Sequence, residues 1–81
     1  MKPEKVFRIG PVSASVFVNE VETEVGERLL RNVNLQRRYR NEESGHWKSS
    51  SSFSLAELPQ AITALEIAMQ YVIDWESDTT G

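Results

Sequence analysis

The hydrophobic period of this chain changes once, at Ser54, from two residues to 3.6. Before that point apolar and polar residues alternate, as they do in strands covered on one face. After it, Leu58, Ile62, Leu65, Met69 and Val72 recur at alternating spacings of four and three and draw one apolar stripe along a helix, which Ala61, Ala68 and Ile73 widen. A chain patterned in this way folds as α+β: a four-stranded antiparallel sheet followed by one C-terminal helix. The expected domain spans residues 6–76, between a flexible leader at 1–5 and a flexible tail at 77–81. Ser54-Leu-Ala-Glu57 matches a capping box, but Pro59 would then sit in the second turn and remove a hydrogen bond. Either the helix starts at that box, or a preliminary turn precedes a helix that begins at Pro59.

The strand half divides at its turn residues. Residues 6–10 form a first strand that Gly10-Pro11 interrupts, because proline cannot donate to a ladder. Residues 12–19 alternate well, with Val12, Ala14, Val16 and Val18 on one face and Ser13, Ser15, Phe17 and Asn19 on the other. Phe17 stands among polar neighbours, either as an exposed aromatic platform or packed against a partner surface. The acidic residues 20–27 suit a mobile connection. In the third strand Val33, Leu35 and Tyr39 share a face with Arg31 and Arg37, while Asn32, Asn34, Gln36, Arg38 and Arg40 share the other. The turn-rich stretch Asn41–Gly45 closes a hairpin onto a fourth strand at 46–54. There the pattern puts Trp47, Ser49, Ser51 and Phe53 on one face and Lys48, Ser50, Ser52 and Ser54 on the other.

With 81 residues, the chain is near the size at which burying enough apolar surface becomes difficult. It has no cysteine and a single histidine, His46, so neither a disulfide framework nor a zinc site supplies the missing stability. Self-association is the remaining device, and a stripe too wide for one sheet suggests a homodimer through Leu58, Ile62, Leu65, Met69 and Val72. No apolar run reaches the length of a membrane span, and residues 1–5 lack a following signal-type hydrophobic core, so a soluble intracellular protein is expected. There is no nucleophile elbow, no glycine-rich phosphate loop and no histidine paired with a base. Enzymatic activity, catalytic residues, metals and cofactors are therefore not expected. The acidic cluster of Glu20, Glu22, Glu24 and Glu27 reads as a solvated loop, since it lacks the strict ligand spacing of a calcium site.

The formal net charge is −3, but it is unevenly spread: residues 28–48 hold six basic and two acidic side chains, whereas residues 49–81 hold five acidic and no basic ones. A polyanion responds to the local field, so this basic island can attract one despite the total charge. Single-stranded nucleic acid needs positive charge for its phosphates and planar groups for its unstacked bases. Arg38, Arg40 and Lys48 are the expected electrostatic core of such a site, with Arg8 added if it faces the same way. Phe17 and Trp47 are the stacking candidates, with a place in the core as the other reading of Trp47. Asn34, Gln36, Ser50 and Ser52 can donate hydrogen bonds to phosphate or sugar without reading sequence.

These residues also carry a resemblance. The segment VNLQRRYR at 33–40, the turn NEESG at 41–45, Trp47-Lys48, and Phe53-Ser-Leu55 leading to a helix started by Pro59 resemble the transcriptional positive cofactor four family of single-stranded DNA-binding proteins. The similar portion runs from about Val6 to Val72. In that family the strand before the turn likewise ends in arginine and aromatic residues, at positions comparable to Arg38 and Tyr39. The family's lysines before the Ser-Leu pair are replaced here by Ser49–Ser52. The resemblance implies a homodimer of sheet-and-helix halves whose curved sheets hold single-stranded nucleic acid in grooves. The expected function is binding of single-stranded nucleic acid, DNA or RNA but DNA first, without strong sequence preference, through the basic outward face of the sheet. The competing reading is a homodimeric protein-interaction module that keeps the fold without binding nucleic acid, since fold does not fix function.

Overall fold

The computed structural model describes residues 2–80, with side chains through residue 76. Four strands, β1 (Lys5–Ile9), β2 (Val12–Thr23), β3 (Gly26–Arg40) and β4 (Trp47–Ser50), are followed by one helix, α1 (Leu58–Thr80). The strands pair in the order β1-β2-β3-β4, every pair antiparallel, so the sheet is a simple meander. This is the ββββα architecture that the single change of period predicts.

Each connection has a local cause. Gly10 turns β1 into β2 with φ of 58°, in the left-handed region that glycine enters without a steric penalty. The acidic stretch 20–27 is not a mobile connection, as its charge suggested. The β2–β3 ladder continues without a break from Val12↔Arg37 to Thr23↔Gly26, leaving only Glu24 and Val25 at the tip. The alternation through Val21 and Thr23 is strand-like, and Thr23 closes the turn by donating its hydroxyl to the Gly26 carbonyl at 2.7 Å. At the other end of β3, the Asn41 carboxamide oxygen accepts from the amides of Glu43 and Ser44 at 2.9 and 3.1 Å. Gly45 then completes the hairpin with φ of 74°.

β4 is shorter than the pattern suggests. It stops at Ser50, whose hydroxyl accepts the amide of Ser52 at 3.0 Å and so turns the chain out of the ladder. The break resets the face of everything after it, and Phe53 packs against the core while Trp47 does not. A preliminary turn at residues 54–57 precedes the helix, with Leu58 N–H donating to the Ser54 carbonyl at 3.0 Å. The Glu57 carboxylate accepts the Ser54 amide at 2.9 Å and hydroxyl at 2.8 Å. These Ser54 bonds, together with burial that opposes them and nearby Arg37, leave Glu57 with a pKa below its ordinary value. Pro59 thus falls in the first turn of α1, where its missing N–H is not needed.

The helix covers one face of the sheet with an unexpected set of residues. The buried core is Val12, Ala14 and Val16 of β2 against Ala61, Ala64 and Ala68 of α1, with Phe7, Ile9, Val33, Leu35, Phe53, Tyr71 and Val72 around it. The sheet-facing seam is therefore made of alanines, which let helix and sheet approach closely. The larger residues of the predicted stripe lie outside that contact: Leu58, Ile62, Leu65 and Met69 are all exposed, and only Val72 packs on the core. The distal end of the helix is clipped to the sheet by Arg31, which forms a bidentate pair with Glu4 at 2.8 and 3.0 Å and lies 4.2 Å from the centre of the Trp75 ring. The Arg31 guanidinium accordingly holds the Glu4 carboxyl below its ordinary pKa.

Candidate nucleic-acid interface

Residues paired across an antiparallel ladder project from the same face, so register fixes the composition of both faces. The helix-side face follows from buried Val12 and its partners. It carries Lys5, Arg31, Arg37, Tyr39, Lys48 and Ser50 and also the strand carboxylates Glu20, Glu22 and Glu27. The opposite, outward face carries Arg8, Ser13, Ser15, Phe17, Arg28, Asn32, Asn34, Gln36, Arg38, Arg40, Trp47 and Ser49. It therefore holds four arginines and no strand carboxylate. This segregation is sharper than anything visible in the net charge of −3.

Ion pairing follows the same division. Arg31 pairs with Glu4 at 2.8 Å and Arg37 with Glu57 at 3.3 Å, both on the helix side. Among the described residues, Arg8, Arg28, Arg38 and Arg40 have no carboxylate within ion-pair distance. Their guanidinium groups keep their donors available to an external anion. Arg40 makes one long contact, from Nε to the Gly45 carbonyl at 3.3 Å. Arg38 lies 5.1 Å from the centre of the Trp47 ring, within cation–π range.

The expected site residues divide accordingly. Arg8, Phe17, Asn34, Gln36, Arg38 and Arg40 do share the outward face, with Phe17 half-buried opposite Asn32. Lys48 does not join Arg38 and Arg40: the hairpin register sets it opposite Tyr39, on the helix side. Ser50 is opposite Arg37 on that same side, and the Ser52 carbonyl accepts Arg37 Nε at 2.9 Å, so neither serine belongs to the outward face. The register also moves Trp47 the other way. It pairs with Arg40 on the outward face and is 62 % exposed, rather than lying in the core.

Two contributors escaped the sequence reading. Arg28 belongs to the outward face once β3 is continued through it, and counting charges by parity along an uninterrupted 26–40 strand would have found it. The Gly10–Pro11 turn is the other. Pro11 accepts the Arg38 amide at 2.9 Å, which brings the turn against β3 and opens a concavity of about 260 Å³ among Arg8, Gly10, Pro11, Ser13, Arg38 and Trp47. Among the described residues no group of three or more acidic, histidine or cysteine side chains is placed to hold a metal ion, and no helix is long and apolar enough to cross a membrane. Comparison of the chain with protein-family models, with curated proteins and with solved structures gives no match.

Proposed function

We propose that this protein is a homodimer that binds single-stranded nucleic acid, most readily DNA, along the outward face of its sheet. The observation that carries the reading is the outward face itself, where Arg8, Arg28, Arg38 and Arg40 have no carboxylate partner among the described residues and an exposed indole stands with them. Phosphates are met by the arginines, and Asn34, Gln36 and Ser15 add hydrogen bonds that do not depend on base identity. An exposed aromatic favours a single strand, whose bases are free to stack on it, over a duplex, whose bases are already stacked. The reading agrees with the resemblance to the positive cofactor four family.

The dimer is supported by what the single chain leaves undone. Among the described residues, its buried core consists of valine and alanine. Its radius of gyration of 15.5 Å exceeds the about 12 Å of a compact chain of this length. The exposed Leu58, Ile62, Leu65 and Met69 keep the strict four-three spacing of a helix seam made to face another helix, and the described residues form one helix. A second copy supplies the missing helix. Its isologous packing leaves both outward sheet faces free for ligand.

Fluorescence anisotropy with single-stranded and double-stranded oligonucleotides at low and physiological salt tests the reading. The single strand should bind more tightly. Four arginine–phosphate contacts per protomer should give a log–log salt slope of about −3. Binding that salt leaves unchanged, or no binding at low salt, would replace this function with the protein-interaction module.

A further inference from the structure

We propose that the concavity at the Gly10–Pro11 turn is a one-base socket that selects guanine, so that a sheet which otherwise grips the backbone reads one base of the strand. The inference rests on the single-strand reading above and adds to it a sequence preference at one position. At about 260 Å³, the concavity lies just below the roughly 300–1,000 Å³ typical of pockets for drug-sized ligands and cofactors. That size matches a single planar group. The concavity is lined by the turn, where Gly10 and Ser13 present little bulk, and by Trp47, Arg8 and Arg38.

The two arginines play different parts. Arg38 is committed to the Trp47 ring at 5.1 Å, which braces the indole as a platform and leaves positive charge beside it for a phosphate. Arg8 stands opposite Ser13 at the rim and has no carboxylate partner among the described residues, so its fork of N–H groups is unspent. A guanidinium offers only donors, and it offers two side by side. Guanine matches this with O6 and N7, adjacent acceptors on one edge, while its bicyclic face stacks on the indole. Adenine puts an amino donor beside N7, and thymine has no adjacent acceptor pair. Cytosine places N3 beside O2 but has a smaller face to stack. A duplex exposes this edge in its major groove but keeps the base face stacked, whereas a single strand offers edge and face together, as the socket requires.

The test compares thymine homo-oligomers carrying one central guanine, adenine, cytosine or 7-deazaguanine, with binding read by anisotropy. The guanine oligomer should bind about tenfold more tightly than the plain thymine oligomer. The 7-deazaguanine oligomer lacks the N7 acceptor and should lose most of that gain. Arg8→Lys keeps the charge on an exposed strand position but not the fork. It should retain the parent's thermal melt and lose the guanine preference, the guanine and plain thymine oligomers then binding equally. Equal affinity of the parent for the guanine and plain thymine oligomers would overturn the socket and leave the backbone-binding reading standing. Failure of every oligomer to bind at low salt would overturn both.

Discussion

Aspartate in place of Leu65 is expected to split the protein into monomers. Leu65 is 43 % exposed in the single chain and sits in the middle of the outward helix seam, between Ile62 and Met69. In a monomer, a charge at so open a position would shift stability by no more than about 0.5 kcal/mol. In the dimer it would bring an unpaired carboxylate into a dry interface, at a cost of about 3–5 kcal/mol, and twofold symmetry would bring it twice. The dissociation constant should therefore rise by about a hundredfold or more. Sedimentation at tens of micromolar should show a dimeric parent and a monomeric variant with a lower melting temperature. A parent that sediments as a monomer, or a Leu65→Asp variant that stays dimeric with the parent's melt, would show that the seam faces solvent.

The second large effect is on ligand binding. The Arg38→Ala, Arg40→Ala double variant should keep its fold, because both side chains are exposed on the outward face and neither pairs with a carboxylate among the described residues. Its affinity for a single strand at low salt should fall about tenfold or more, as two charge-assisted phosphate contacts are lost. The salt slope should become shallower by about 1.4, or about 0.7 for each contact. Lys48→Ala is the matched control. It deletes a positive charge from β4, within the same hairpin, but from the helix side, so affinity and slope should stay close to the parent's. A slope change in Lys48→Ala about half that of the double variant, or about 0.7, would mean that binding follows overall charge and not the outward face. An unchanged double variant would place the site elsewhere.

The contrast between Arg38 and Lys48 also shows where sequence stopped informing structure. Alternation along β3 correctly paired Arg38 with Arg40, Asn34 and Gln36, because parity within one strand needs no knowledge of its neighbours. The face of Lys48 depends on the register across the Asn41–Gly45 turn, and a shift of one residue there exchanges the two faces of β4. The turn is held by the Asn41 side chain and Gly45, and its geometry sets Lys48 opposite Tyr39. Trp47 then emerges where the sequence admitted either a core or a surface role.

The helix was legible in period, but it runs to Thr80, through most of the expected tail, and its two apolar seams merged into one wide stripe. Leucine, isoleucine and methionine dominate any hydrophobicity pattern, so the stripe takes Ala61 and Ala68 as its margin and misses Ala64, although all three pack on the sheet. In the arm formed by the distal ends of β2 and β3, the glutamates masked a regular alternation. Exposed strands tolerate charge on a face that no core demands, and Glu20, Glu22 and Glu27 lie there in register with Leu29, Glu27 and Glu22.

The two tryptophans stand on opposite sides of the sheet, Trp47 on the outward face beside Arg38 and Trp75 on the helix against Arg31. Their indole N–H resonances, observed by nitrogen-15 correlation spectra during titration with a thymine homo-oligomer, report directly on which face the strand occupies. The Trp47 signal should move progressively to saturation while that of Trp75 stays in place. Movement of Trp75 with a stationary Trp47 would put the ligand on the helix side and contradict the account.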